Sequence, residues 1–149
     1  MFKKLVVPVL LVAVSLLTGC ASVQMASPEH DAQAKSFAVQ PDKANIYLYR
    51  NESMGAAVKM DVVLDNNPVG KTVAKSYMKF EVSPGQHTII SKAENDDVLN
   101  INTEAGKNYF VWQEVKMGIL YARNLMHLTD EQTGKAGVLE CKLIESTSK

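Results

Sequence analysis

Few residues in this chain could do chemistry, and their types limit what that chemistry could be. His87 and His127 are the two imidazoles in the part that reads as folded, with Glu114 as a nearby-class acid and Cys141 as a lone thiol. Nucleophilic catalysis needs a serine or cysteine beside an oriented base, and no serine here has a nucleophile-elbow context. An enzyme reading would therefore have to assemble a hydrolytic site around His87 and Glu114. His87 follows Pro84-Gly85-Gln86 at a strand start, where a polar edge residue is common, and it stays a candidate binding residue. His127 with Cys141 offers two metal ligands where a closed site needs about four. Glu29-His30-Asp31 is one imidazole between acids and reads as solvated linker. Asp65, Asn67 and Gly70 match the first, third and sixth positions of a calcium loop, but Val69 and Ser76 replace later ligands; a polar hairpin turn explains them. Gly70-Lys71-Thr72 ends like a phosphate loop, yet Asp65 stands where its first glycine belongs and strand follows instead of helix. Asp96 and Asp97 sit in a turn with nothing to split their pKa values. No catalytic residue, metal or cofactor is expected.

The aromatic residues offer more. Tyr47, Tyr49, Tyr77, Tyr109, Phe110, Trp112 and Tyr121 fall mostly in strand-like runs, and an aromatic sheet face can pack on sugars or protein partners. Tyr49 and Trp112, with His87, are the candidate binding residues.

The N-terminus has its own chemistry. Lys3 and Lys4 precede an apolar stretch from Leu5 to Leu17, then Leu17-Thr18-Gly19-Cys20, which reads as a secretory signal. Leu5 to Gly19 as a helix would span only about 22 Å, short of the roughly 30 Å hydrocarbon core. The last four residues resemble a bacterial lipobox, in which cleavage precedes the cysteine and its thiol carries a diacylglyceryl group. By that resemblance Cys20 is the lipidated mature terminus, and its acyl chains would anchor the chain stably. Ala21 stands where an Asp would resemble an inner-membrane retention signal, so export to the outer membrane, facing the periplasm, is expected. With Cys20 lipidated, Cys141 has no intramolecular partner and reads as a buried thiol.

These residues must be positioned by a chain of 149 residues with 16 basic and 16 acidic side chains. That length suggests one domain, and zero net charge without a basic cluster argues against nucleic-acid partners. Residues 20–43, rich in Ala, Ser, Gln and Asp, read as a flexible tether with a reach of about 26 Å. From Ala44 short alternating runs between turns predict an all-β fold. Ala44–Arg50 is apolar on both faces and predicts a central strand. Further strands are expected over 58–64, 69–75, 78–82, 86–92, 98–103, 108–117 and 125–129. Asp65-Asn66-Asn67-Pro68 is a turn by its chemistry. Thr129-Asp130-Glu131-Gln132 has capping-box spacing, predicting a short helix over about 130–141, although Gly134 and Gly137 each cost it about 1 kcal/mol. The expectation is a small antiparallel β-sandwich of about seven strands over 44–149 with a short C-terminal helix, after a signal peptide (1–19) and the tether (20–43).

The runs Ile46-Tyr47-Leu48-Tyr49-Arg50, Leu64-Asp65 with Val69-Gly70, Pro84-Gly85-Gln86-His87 and Ala105-Gly106-Lys107-Asn108-Tyr109-Phe110-Val111 together resemble a family of bacterial lipoproteins catalogued as a domain of unknown function. The resemblance covers about residues 44–143 and implies a small β-sandwich on a lipid anchor, with no established reaction. Residues 65–90 also look like part of the small β-modules named for a Pro-Glu-Gly-Ala signature, which the chain lacks. The function expected is a non-enzymatic interaction or structural module of the cell envelope, held at the membrane by its lipid and meeting an envelope protein or glycan. A small hydrophobic ligand in the sandwich interior, or a hydrolase using His87, are the alternatives.

Overall fold

The computed structural model describes residues 23–146; the expected signal segment and Cys20 lie outside the described residues. The chain order is α1 (Pro28–Ala34), β1 (Ala44–Arg50), β2 (Met60–Leu64), β3 (Asn67–Thr72), β4 (Ser76–Val82), β5 (Gly85–Lys92), β6 (Asp96–Thr103), β7 (Asn108–Met117), β8 (Ala122–Thr129), α2 (Glu131–Leu139) and β9 (Lys142–Leu143). The strands form a five-stranded sheet, β8-β7-β1-β4-β9, and a four-stranded sheet, β3-β2-β5-β6. The fold is thus mostly β and sandwich-like, but the expectation of an antiparallel sandwich of about seven strands needs correcting. Among the described residues there are nine strands, and two pairings are parallel, β1 with β7 and β4 with β9 at the edge of the first sheet.

Alternation explains the core. Ile46 and Leu48 of β1, Met78 of β4 and Val111 of β7 point between the sheets, where they meet Val62 and Ile89 of the second sheet. All seven residues of β1 are buried, as its two apolar faces predicted. Its other face meets a layer the sequence reading did not include: Tyr47, Tyr49, Tyr77 and Phe110 are covered by Ala34, Phe37, Val138 and Cys141. Tyr47 stacks on Phe110 at 5.2 Å, and Phe37 meets both edge-on.

That covering layer corrects the flexible tether for residues 23–43. Ser27 caps α1 and Pro28 occupies its first turn, both favourable helix-start choices. Asp31, read as solvated linker, instead accepts from the Tyr77 hydroxyl at 2.8 Å, the Leu143 N–H at 3.0 Å and Lys35 Nζ at 2.9 Å. Burial opposes its charge, but these donors outweigh that and hold its carboxyl below 3.8. Tyr47 donates to the Ala34 carbonyl at 2.9 Å. Upstream, Met25 pairs antiparallel with Ile144, so the fold begins at the first described residues. A polar seven-residue helix shows no apolar stripe; these contacts, with Lys35 Nζ donating to the Cys141 carbonyl at 2.6 Å and Ala34 in the aromatic cluster, tie it down.

Helix α2 is present, with its N-cap one residue later than the capping-box spacing gave: the Asp130 carboxylate accepts from the Thr133 N–H at 2.8 Å and its hydroxyl at 2.7 Å. The two glycines that weakened the helix on propensity have a packing reason. A Cβ on Gly134 would overlap the Phe110 ring, and one on Gly137 the Tyr49 ring. One helical turn apart, they let α2 lie directly on the aromatic face.

Polar residues run through the other end of the core. Thr72 donates to Gln113 at 2.6 Å, Gln113 donates to Ser91 at 2.5 Å, and the Asn124 amide reaches the Ser91 carbonyl. All four are buried, and the network fixes how the two sheets register. Arg50, fully buried, donates to the carbonyls of Gly55 at 2.6 Å and Val58 at 2.8 Å, so it pins the loop between β1 and β2.

Candidate functional site

The three candidate binding residues do not come together. His87 is on β5 of the second sheet, at the end where the β2–β3 hairpin turns. That turn has Asp65 at φ 48° and Asn66 at φ 66°, the two left-handed residues of a tight hairpin, as the turn chemistry predicted. It delivers the Asp65 carboxylate to His87 Nδ1 at 2.6 Å, while His87 Nε2 lies 2.7 Å from the Ser83 carbonyl. Two oxygen acceptors suit an imidazolium donating from both nitrogens. Burial opposes the charge, but these bonds outweigh it and hold the His87 pKa above 6.5. Such a ring pins a turn and has no lone pair left for a base. Glu114 projects from the outer face of the first sheet, where it accepts from Lys116 at 2.9 Å and contacts His127 Nε2 at 2.7 Å. His127 holds its carboxyl below 4.5, with Lys116 adding to that. The hydrolytic pairing of His87 with Glu114 is therefore not assembled; the first sheet stands between them.

Cys141 lies under α2, 2% exposed, donating to the Gly137 carbonyl. Burial pushes its thiol up to about 12, which makes it an unreactive packing group.

Tyr49 and Trp112 do meet, as register partners on β1 and β7, but not as an open patch. Tyr49 is 2% exposed beneath α2. Its ring and Trp112 line a cleft of about 520 Å³ between α2 and the sheet, with Asn51, Thr129, Gln132 and Glu140 around it. The Trp112 indole stacks on His127 at 5.0 Å, and its Nε1 is buried without a hydrogen-bond partner. A buried donor left unmade costs about 1–3 kcal/mol, so a ligand oxygen reaching it would recover that amount.

Sequence reasoning missed a second surface. The β7–β8 turn presents Met117 (86% exposed), Ile119 (94%), Leu120 (88%) and Tyr121. Loops are usually polar at such tips. The backbone here is held from inside: the Glu94 carboxylate accepts from the N–H groups of Ile119 at 2.8 Å, Tyr121 at 3.2 Å and Leu120. A Cβ on Gly118 would overlap that carboxylate. Three amide donors are thus satisfied by the protein, while four apolar side chains point away from it. The run Met117-Gly118-Ile119-Leu120-Tyr121 between two strands was the available signal. This tip lies at the end of β7 opposite Asn108, hence opposite the end toward which Gln24 and Val23 lead.

Among the described residues no helix is long and apolar enough to cross a membrane, and no group of three or more His, Cys, Asp and Glu could hold a metal ion. No solved structure matches the chain. An uncharacterized protein of Haemophilus influenzae is 35% identical over 135 residues, covering 88% of this chain and 79% of that protein. Residues 40–124, from the lead-in to β1 through the start of β8, match the model of a family described as proteins of unknown function, DUF2846. The chain belongs to the DUF2846 family.

Proposed function

We propose that the chain is a lipoprotein of the bacterial cell envelope, acylated at Cys20 and held at the outer membrane facing the periplasm, where it serves as a non-enzymatic interaction module for an envelope protein. The observation that carries the reading is the apolar tip at Met117–Tyr121. Exposed apolar residues gain about 25 cal/mol per Å² when a partner covers them, and a contiguous cluster of them marks an interaction site more often than single ones do. Because Glu94 already accepts from the N–H groups of Ile119, Leu120 and Tyr121, a partner covering the tip strands none of those three donors. The tip is also preorganised, which lowers the ordering cost of association.

The test is photo-crosslinking in cells from a photoreactive residue at Ile119 or Leu120, with one at Lys107, at the other end of the molecule, as the comparison. One protein captured stoichiometrically from the tip, and lost on Ile119→Asp, is the expected result. Equal diffuse capture from both ends would sink the reading. Acylation is checked separately by mass of the mature chain and its loss in Cys20→Ser.

A second reading, a glycan in the Tyr49–Trp112 cleft, is favoured by the unpartnered Trp112 Nε1. Trp112→Phe keeps the ring surface and removes the donor. It is expected to release the chain from purified cell-wall glycan if that contact exists, and unchanged retention would count against it.

A further inference from the structure

The two sheets have unequal widths, five strands against four, and a recess of about 640 Å³ opens where β3 faces β4 and the chain after β9. Its walls include Leu64, Pro68, Met78, Phe80 and Ile144. Pockets that bury small apolar ligands have volumes of roughly 300–1,000 Å³ with mostly apolar linings. Lys79, Glu81 and Glu145 also line the recess, so one basic and two acidic residues adjoin the apolar walls. Lys79 has no carboxylate partner among the described residues.

Its place in the molecule gives the recess a neighbour. Val23 and Met25 pack on the same apolar cluster as Leu64 and Phe80. Met25 pairs with Ile144 and Gln24 accepts from the Glu145 N–H, which leads the described chain to Val23 beside the same cluster as Phe80. Cys20 stands three residues before Val23, at most about 10 Å of chain. With an acylated Cys20 the recess is held at the bilayer surface.

We propose that the recess takes one acyl chain of a zwitterionic glycerophospholipid from that bilayer. The proposal rests on the Cys20 anchor for bringing the bilayer within reach. A chain leaving one apolar medium for another changes its own transfer energy little, whereas filling the recess removes its walls from water. Occupancy is then selected by proximity and by the charged lining residues. One ammonium and two carboxylates suit a head that carries both phosphate and ammonium; a fatty-acid carboxylate would face Glu81 and Glu145.

The experiment uses the full acylated chain purified from membranes, with Cys20 acylation read first on the intact mass. The chain is reconstituted into phosphatidylethanolamine vesicles doped with the same lipid bearing an acyl-chain diazirine, irradiated, and its adducts mapped. Adducts on Met78, Phe80 or Ile144 are expected, and filling the recess with Met78→Trp should cut them about tenfold in protein that still unfolds cooperatively. If Met78→Trp does not fold, Ile144→Phe gives the same comparison. Adducts only outside the recess, or insensitive to filling, overturn the proposal. Adducts that appear only in Cys20→Ser also overturn it, because the chain's own acyl group is then the occupant. An unacylated Cys20 on the intact mass fails the anchor alone, since the vesicles are supplied from outside and the adduct map still decides the recess.

Discussion

His87 holds its turn through a proton, so its contribution depends on pH in a definite direction. Its folded pKa lies above 6.5, so the stability it adds is full below about pH 6.5 and is lost as pH rises through the folded value. Asp65 works the other way. Burial raises its pKa, but the His87 and Thr88 hydrogen bonds outweigh that and hold it below 3.8. Its contribution is present above about pH 3.8 and is lost as pH falls through the folded value. The pin is thus strongest between about pH 4 and 6.5. On deprotonation the Nε2 lone pair would face the Ser83 carbonyl oxygen, or Nδ1 would lose its proton before Asp65. Asp65 is 41% exposed, so solvent screening limits the pair to about 1 kcal/mol. His87→Gln is expected to cost that much near pH 5.5 and much less near pH 8.5, measured as urea midpoints across pH. A gap that stays constant over the range would show a packing role without the charge. The sequence showed a histidine at a strand start and a polar turn, but nothing local joins residues 65 and 87.

The contact between α2 and the aromatic face separates packing from propensity at the element scale. On propensity alone Gly134→Ala and Gly137→Ala should each stabilise the helix by about 1 kcal/mol. Both sites have an aromatic ring where the new Cβ would stand, and forcing atoms into a packed contact costs about 1–3 kcal/mol. Net destabilisation by each substitution is expected in chemical denaturation, with Ala136→Gly, beside the cleft, following ordinary propensity. Stabilisation by either Gly→Ala would mean that α2 rides higher on the sheet. The same contact shows why some elements were legible and others were not. The β1 strand announced its central place because both of its faces are apolar, and the Asp65-Asn66 turn announced itself by residue chemistry. The start of β8 was missed because Asn124 is polar in a core position, where its backbone and amide N–H groups donate to Asn95 and the Ser91 carbonyl. The parallel β1–β7 pairing leaves no local trace, because its partners, such as Tyr49 and Trp112, are far apart in the chain. Without that pairing and the covering helices, Tyr49 and Trp112 looked like an exposed patch instead of a cleft under α2.

At the scale of the whole molecule, the packed segment 23–43 changes what the proposed anchor can do. A free tether from Cys20 would have let the domain wander about 26 Å from its attachment. Three residues allow about 10 Å. The turn at Glu104–Lys107 adjoins Lys43 and the start of β1, at the end of the sheet toward which Gln24 and Val23 lead, so under the proposed anchor it would be the end nearer the headgroups. The ten-residue β7 rises from there by about 33 Å to the apolar tip. With the proposed anchor, the tip would stand away from the bilayer and face whatever lies beyond it, which fits a protein partner better than insertion into the same membrane. Cysteine chemistry makes this measurable: Cys141 is buried, and with Cys20 acylated as proposed a single introduced thiol would be labelled selectively. A fluorophore at Lys107→Cys is expected to be quenched by headgroup-quencher lipids in reconstituted vesicles, and one at Ile119→Cys to be spared. Equal quenching of both would restore a long tether. Stronger quenching of the Ile119 probe would lay the tip on its own membrane and remove the protein partner as its purpose.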